Sequence, residues 1–199
     1  MMQVEKFIFG PFETNCYVVR DGEQVLLIDP ACSNAYEQHR LFQAIGPSSS
    51  VRIIATHGHL DHLWGAKWAT EQWGVPVLMH EADIPMAQAM QQQYYLFGIR
   101  MAAEPFEMQP LVVNSQSPFS FQLISTPGHT PGSVCLYWPE EKVLFSGDTL
   151  FQMGYGRTDL PGGNMGQLID SLERLFALPS DVTVYPGHGD YTTIGAEKR

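Results

Sequence analysis

Short apolar runs alternate along the chain with longer stretches in which apolar residues recur at helical spacing. Short runs bounded by glycine, proline and polar residues are typical of buried strands, and the longer stretches are typical of amphipathic helices. The pattern predicts strands over residues 2–9, 15–20, 25–28, 51–55, 75–79, 119–125, 133–138, 142–146 and 181–185. It predicts helices over residues 34–45, with Ser33 as the N-cap, over 60–73 and 165–178, and over much of 81–103.

The mixture of strands and helices throughout the chain predicts a layered α/β fold, and residues 1–199 are expected to form one domain. The composition is that of a globular protein, with 44% hydrophobic, 12% aromatic and 16% charged residues. A net charge of −10 repels phosphate backbones, so nucleic acid is not expected as a partner. No apolar run approaches the roughly 20 residues that span a bilayer, so a membrane partner is not expected either.

The N-terminus lacks the pattern of a signal peptide, and the chain has three widely spaced cysteines, Cys16, Cys32 and Cys135. An odd number of distant cysteines does not form a disulfide framework, so they are interpreted as small buried apolar residues. Both observations predict a cytoplasmic protein.

Four apolar strands are followed by the same kind of sequence, a glycine beside a side chain that can bind metal. The strand at 51–55 leads into His57-Gly58-His59, and the strands at 119–125 and 181–185 each lead into Pro-Gly-His, at His129 and His188. The strand at 142–146 leads into Gly147-Asp148. Because ligands of α/β proteins bind at the carboxyl ends of strands, these side chains are expected to form a site.

The run from His57 to His62 reads His-Gly-His-Leu-Asp-His and places four potential metal ligands within six residues. Together with the three later residues the set is His57, His59, Asp61, His62, His129, Asp148 and His188. Seven ligands exceed the needs of one tetrahedral ion, whereas two ions that share a carboxylate use all seven. The expected arrangement places His57, His59 and His129 on one ion, Asp61, His62 and His188 on the other, and Asp148 between them. The remaining histidines, His39 and His80, are expected to be structural or exposed.

These residues, together with Asp29 in Ile28-Asp29-Pro30, make the sequence resemble the metallo-β-lactamase superfold. The resemblance implies a four-layer αβ/βα sandwich and the seven metal ligands, among which Asp61 and Asp148 are also taken as catalytic. Two divalent ions are expected, with zinc preferred and iron or manganese as alternatives. Asp29 is interpreted either as a residue that orients a ligand histidine or as a plain turn residue.

Within that superfold the sequence is similar to glyoxalase II-like proteins, the hydroxyacylglutathione hydrolases of the short bacterial type. The run from Leu150 to Asn164, with Gly156-Arg157-Thr158-Asp159, carries this similarity and is also found in persulfide dioxygenases. The long glyoxalase II form has a further helical segment that contacts glutathione, whereas eleven residues follow His188 in this sequence. The resemblance therefore implies a thioesterase and leaves the thiol open.

The expected reaction is hydrolysis of an acyl thioester, a small-molecule substrate, by a hydroxide that bridges the two metal ions. A metal ion lowers the pKa of water to about 7, and a thiol with a pKa near 8.5 leaves without a proton donor. The alternatives are a persulfide dioxygenase-like oxidoreductase with one iron on His57, His129 and Asp148, and a hydrolase of lactones or phosphodiesters.

Three residues are candidates for contact with the substrate, namely Arg157, Tyr155 and Tyr94. Arg157 is expected either to bind a substrate anion or to pair with Asp159. Tyr94, with Tyr95 and Phe97, is expected either to form a flap over the substrate or to pack against the core or a second subunit. The segment 81–103 is also a candidate face for a homodimer.

Overall fold

The computed structural model describes residues 2–47, 50–112 and 121–198. The chain divides into two compact units, Met1–Leu111 and Val112–Arg199. Each unit contains its own β-sheet and its own helices, and each is described separately below. The prediction that residues 1–199 form one domain stays a prediction.

The first unit is built on a six-stranded sheet in the order β1-β2-β3-β4-β5-β6. Its strands are β1 (Gln3–Phe9), β2 (Thr14–Asp21), β3 (Gln24–Ile28), β4 (Val51–Ile54), β5 (Val77–Met79) and β6 (Met108–Pro110). Its helices are α1 (Ala35–Ile45), α2 (Ala66–Trp73), α3 (Ile84–Gln88) and α4 (Met90–Leu96), with a 3₁₀ turn at Glu81–Asp83. The first three strands pair antiparallel, and β3 to β6 pair parallel.

The central strands of this sheet are apolar and buried, as expected for parallel strands covered on both faces. Leu26, Leu27 and Ile53 are fully buried, and Ile28 on β3 pairs with Ile54 on β4. Because these two strands are parallel, the residues that follow them leave the same edge of the sheet. The backbone N–H of Asp29 donates to the carbonyl of Ile54 over 2.9 Å, which fixes the two strand ends together.

The second unit is built on a five-stranded sheet in the order β13-β12-β9-β8-β7, with a separate small hairpin. Its strands are β7 (Gln122–Ser125), β8 (Val134–Trp138), β9 (Val143–Gly147), β12 (Thr183–Pro186) and β13 (Thr192–Thr193), and the hairpin is β10 (Leu150–Phe151) with β11 (Gly154–Tyr155). Its helices are α5 (Met165–Phe176) and α6 (Ile194–Glu197). Strands β7, β9 and β12 run in the same direction, because β8 is antiparallel to both β7 and β9, and β9 is parallel to β12. Their carboxyl ends therefore lie at one edge of the sheet.

Two helix starts differ from the sequence prediction. The N-cap of α1 is Asn34 and not Ser33: the Asn34 side chain accepts from the N–H groups of Tyr36 and Glu37. Ser33 instead donates its N–H to the Glu37 carboxylate over 2.6 Å. Helix α2 begins at Ala66 and not at residue 60, because residues 60–65 form turns that are held to the preceding chain. The N–H of Gly65 donates to the Pro30 carbonyl over 2.8 Å there.

The predicted helix over 81–103 is in fact three short pieces. A 3₁₀ turn, α3 and α4 follow one another, and the helical run ends before Gly98, which has a φ of 69°. The chain then turns back, and the Gln91 side chain holds it by donating to the carbonyl of Met101 and accepting from the N–H of Ala103. A periodicity that continues past a left-handed glycine does not make a continuous helix.

Four short elements were not predicted, namely β6, the β10–β11 hairpin, β13 and α6. Part of the strand predicted over 119–125 is present as β7, while residues 119 and 120 lie outside the described residues.

All three cysteines are buried and free, as predicted. Burial raises the pKa of the Cys32 thiol to about 12 and that of Cys135 to about 11, which keeps both protonated at neutral pH. Among the described residues no helix has both the length and the apolar character that a membrane span requires.

Candidate metal centre

The first unit brings the four ligand candidates of the motif together in one turn-rich loop between β4 and α2. The ring centroids of His57 and His62 lie 4.1 Å apart, and those of His57 and His59 lie 4.9 Å apart. The Nε2 atom of His62 lies 3.4 Å from Oδ2 of Asp61. His57, His59 and His62 are buried, at 1%, 8% and 0% exposure, so the three imidazoles are largely shielded from solvent.

Asp29 fixes the orientation of two of these histidines. Its Oδ2 atom accepts from Nδ1 of His62 over 2.8 Å and from the Thr56 hydroxyl over 2.8 Å. The Thr56 Oγ1 atom lies 3.1 Å from Nδ1 of His57, and since its own proton goes to Asp29, it accepts the proton of that Nδ1. Both imidazoles therefore carry their proton on Nδ1 and present the lone pair of Nε2, the form that binds metal.

The backbone at Asp29 is in the left-handed region, with a φ of 55°. A residue other than glycine rarely adopts this conformation unless its surroundings hold it there. The Asp29 side chain is 1% exposed and also accepts the N–H of Thr56 at Oδ1 over 2.7 Å. The three hydrogen bonds to this carboxylate compensate for both its burial and its backbone strain.

Asp61 is held by a residue that the sequence pattern did not single out. The hydroxyl of Thr14, at the start of β2, donates to Oδ2 of Asp61 over 2.8 Å. Thr14 is 1% exposed and is separated from Asp61 by 47 residues in the sequence. No motif in the sequence joins these two positions. Strand β2 is antiparallel to β3, and β3 is parallel to β4, so the start of β2 lies at the edge of the sheet from which the loop leaves.

The second unit brings its three ligand candidates to the shared edge of β7, β9 and β12. The Oδ2 atom of Asp148 lies 3.4 Å from Nε2 of His129 and 3.5 Å from Nε2 of His188. The Nδ1 atom of His129 donates to the carbonyl of Arg157 over 2.7 Å, which leaves the Nε2 lone pair of His129 as its ligand atom. Asp148 therefore faces two imidazoles through one carboxylate oxygen.

Gly156 allows this close arrangement. A Cβ atom at residue 156 would lie 1.9 Å from the carbonyl oxygen of Asp148 and 3.1 Å from Cγ of His129. Any side chain there would push the backbone away from the aspartate or the histidine. The glycine of the Gly-Arg-Thr-Asp run is therefore required by the packing around the two ligand candidates.

The donor set and its spacing fit divalent metal ions. Zinc bonds of about 2.0–2.2 Å place two ligand atoms of one tetrahedral ion about 3.3–3.6 Å apart. The carboxylate and imidazole atoms are separated by 3.4 Å at Asp61–His62, 3.4 Å at His129–Asp148 and 3.5 Å at His188–Asp148. These separations exceed a good hydrogen bond and lie within the range expected for two ligands of one ion.

The candidates for substrate contact are placed differently from one another. Arg157 forms the predicted pair with Asp159, with two N···O distances of 2.6 Å, and this hydrogen bond lowers the pKa of Asp159 to about 2. Tyr155 is 54% exposed.

Tyr94 is 6% exposed, and its ring lies 5.8 Å from the ring of Trp64, which favours the core-packing interpretation. Burial raises the pKa of the Tyr94 hydroxyl. Tyr95 on the same helix is 72% exposed.

Residues 9–188 match the family model of the metallo-beta-lactamase superfamily, and the chain therefore belongs to that superfamily. The predicted α/β sandwich of this superfold is confirmed as the fold class. The match spans all seven ligand candidates. The chain is accordingly a metal-dependent hydrolase with histidine and aspartate clusters suited to divalent ions.

Individual relatives cover the whole chain. The hydroxyacylglutathione hydrolase GloC of Haemophilus influenzae is 35% identical over 100% of this chain and 96% of its own length. The probable metallo-hydrolase YqgX of Bacillus subtilis is 34% identical over 99% of this chain and 95% of its own length. The crystal structure of TTHA1623 in a di-iron-bound form is 37% identical with a TM-score of 0.88, and the match covers 98% of this chain and 97% of that one.

Proposed function

We propose that the protein hydrolyses an acyl thioester of the hydroxyacylglutathione type with two divalent metal ions. The proposed ligands are His57, His59, Asp61, His62, His129, Asp148 and His188. The observation that carries this proposal is the set of hydrogen-bond partners at the Nδ1 atoms of three histidines. His57, His62 and His129 each direct Nδ1 at an oxygen within 3.1 Å, so that each offers Nε2 to a metal ion.

The similarity to a relative named hydroxyacylglutathione hydrolase supports the choice of substrate class. When bound, two divalent ions supply a water with a pKa near 7 and polarise a carbonyl oxygen. Only Asp61 and Asp148 among the seven ligands carry negative charge, so the ligands leave about half of the charge of two such ions uncompensated. A site with net positive charge favours the negative charge that develops when a carbonyl is attacked.

The chemistry of the leaving group fits the residues that surround the ligands. A thiol has a pKa near 8.5 and departs as a thiolate, so the reaction needs no acidic side chain beside it. The carboxyl groups of Asp29 and Asp61 are both engaged as hydrogen-bond acceptors and are not placed to donate a proton. An amide, whose leaving amine requires a proton, would be a poorer substrate for this arrangement.

The test is the hydrolysis of S-lactoylglutathione by protein whose zinc, iron and manganese have been counted. We expect a kcat/KM above about 10⁴ M⁻¹s⁻¹, the lower end of the range for a natural substrate. The release of free thiol and of lactate in equal amounts would establish the thioesterase reaction. A metal-loaded protein without measurable turnover would contradict the proposed substrate and leave the fold unaffected.

An iron-dependent oxidoreductase of the persulfide dioxygenase type is the second candidate. A neighbour that is 37% identical has a crystal structure in a di-iron-bound form, and this similarity supports iron as a candidate metal. Its proposed ligands are His57, His129 and Asp148 on a single ion. Oxygen uptake on glutathione persulfide by protein with one iron per chain would favour it over the thioesterase, and zinc-dependent activity without oxygen uptake would exclude it.

A further inference from the structure

The backbone of the motif loop in the first unit is hydrogen bonded to two side chains from a distant segment. Gly58 lies between His57 and His59, and Leu60 lies between His59 and Asp61. The N–H of Gly58 donates to Asp83, its carbonyl accepts from Gln93, and the N–H of Leu60 donates to Gln93. Three backbone groups that alternate with the proposed ligands are thus fixed from outside the loop.

Asp83 supplies the first of these contacts. It ends the 3₁₀ turn Glu81–Asp83 and is fully buried, at 0% exposure. Its Oδ2 atom lies 2.8 Å from the N–H nitrogen of Gly58. A Cβ atom at residue 58 would come within 2.9 Å of the Asp83 carbonyl oxygen, so glycine is needed for this close approach.

Gln93 on α4 uses both ends of its amide. Its Nε2 donates to the carbonyls of Gly58 and Met86, each over 2.9 Å, and its Oε1 accepts from the N–H of Leu60 over 2.9 Å. A glutamate would lack both donors, and an asparagine is one methylene shorter. The contact to Met86 also connects Gln93 to α3, so that one side chain joins the loop, α3 and α4.

We propose that Asp83 and Gln93 are positioning residues that set the direction of the ligand side chains in the motif loop. This inference rests on the proposed metal ligands. The ligand atoms of His57 and His59 lie within 4.8 Å of one another, and a rotation of the intervening peptide would separate them. Loss of a residue that orients metal ligands lowers metal affinity by about 10–100-fold, although the residue itself never touches the ion.

The first experiment compares Gln93→Met with Gln92→Met in the zinc-loaded protein. Both substitutions are on α4 and change the side chain in the same way, but Gln92 is exposed. The readouts are the rate of zinc transfer to a chromogenic chelator and the visible spectrum of the cobalt-substituted protein. We expect Gln93→Met to release zinc about tenfold faster and to change the cobalt spectrum, with Gln92→Met close to wild type.

The second experiment compares Asp83→Asn with Asp83→Ala. Asparagine keeps an oxygen for the N–H of Gly58 and is expected to restore zinc release to within about threefold of wild type, whereas alanine is expected to accelerate it about tenfold. If Gln93→Met does not fold, Gln93→Glu takes its place in the comparison with wild type. This variant retains the acceptor for the N–H of Leu60 and removes both donors.

Thermal unfolding of the metal-free variants separates positioning from general stability. Wild-type zinc release and cobalt spectra in both Gln93→Met and Asp83→Ala, with only a lower Tm, would overturn the positioning role and leave the proposed function intact. A wild-type protein that takes up no zinc or cobalt would overturn the proposed function and the positioning role with it.

Discussion

The two units hold their ligand candidates in different ways. In the first unit four candidates lie on one loop, and side chains that are 25 to 35 residues away from it in the sequence fasten that loop. In the second unit each of the three candidates follows the end of a different strand, at 129, 148 and 188. The sheet itself brings those three together, and the side chain of His188 remains 29% exposed.

The comparison shows that a sequence motif can reveal the candidate ligands without revealing the residues that support them. The ligand loop of the first unit is visible in the sequence as one dense run, but its supports, such as Thr14, Asp83 and Gln93, belong to no recognisable pattern. In the second unit the ligands are scattered along the chain, but the apolar strands that place them are easily recognised. We therefore expect the first set to be sensitive to distant side-chain changes and the second to be sensitive to changes in local backbone packing.

Removal of a ligand from either unit is expected to have the largest effect. His59→Ala and His129→Ala should each lower kcat/KM by about 10³-fold or more, because a divalent ion contributes several kcal/mol to the stabilisation of the transition state. The exposed His39→Ala is the control for loss of a surface histidine. Near-normal activity in His129→Ala, with His59→Ala inactive, would exclude His129 as a ligand of a catalytic metal ion.

Asp29→Asn tests the dependence of the first unit on a single side chain. An amide NH₂ group at this position would face the protons that His62 and Thr56 now donate to Oδ2. We expect metal affinity to fall by about 10–100-fold, measured by competition with a chelator. Asp21→Asn, at the less buried end of β2, is the matched control. Equal affinities in the two variants would show that Asp29 does not orient the ligands.

Gly156→Ala tests the backbone packing of the second unit. The added methyl group would collide with the carbonyl of Asp148, whereas Gly154→Ala in the same hairpin region meets no atom within 4 Å. We expect the first substitution to lower the free energy of unfolding by about 1–3 kcal/mol and the second to change it by less than about 0.5 kcal/mol. Urea unfolding measures both, and equal stabilities would refute the proposed close packing.

Arg157→Ala is expected to have the smallest effect on stability, because the pair with Asp159 is exposed, at 56% and 66% for the two side chains. The pKa of Asp159 is lowered to about 2. The pair therefore contributes fully to folding stability at a pH above the ordinary carboxyl pKa of about 3.9, and this contribution is lost as the pH falls toward 2. The difference in Tm between the variant and wild type should therefore be small at pH 7 and vanish near pH 2. A raised KM with unchanged kcat would assign Arg157 to the substrate anion.

The sequence predicted the fold class and most of the strands, because buried strands are short apolar runs with clear boundaries. It misplaced the start of α2, where Asp61 and His62 lie in turns that the contact of Gly65 with Pro30 fixes. The sequence prediction also merged α3 and α4, because the helical periodicity continues through Ala89 whereas the helix is interrupted there. Contacts such as Thr14–Asp61 depend on tertiary structure alone, and no local pattern could have revealed them.

The central proposal is that the seven proposed ligands hold two metal ions and that Asp148 serves both ions. Metal analysis of wild type and of Asp148→Ala, prepared in parallel and assayed for thioester hydrolysis, tests it most directly. We expect about two ions per chain in wild type and, in the variant, fewer than about one ion together with loss of activity. A variant that retains the wild-type metal content and full activity would contradict the claim.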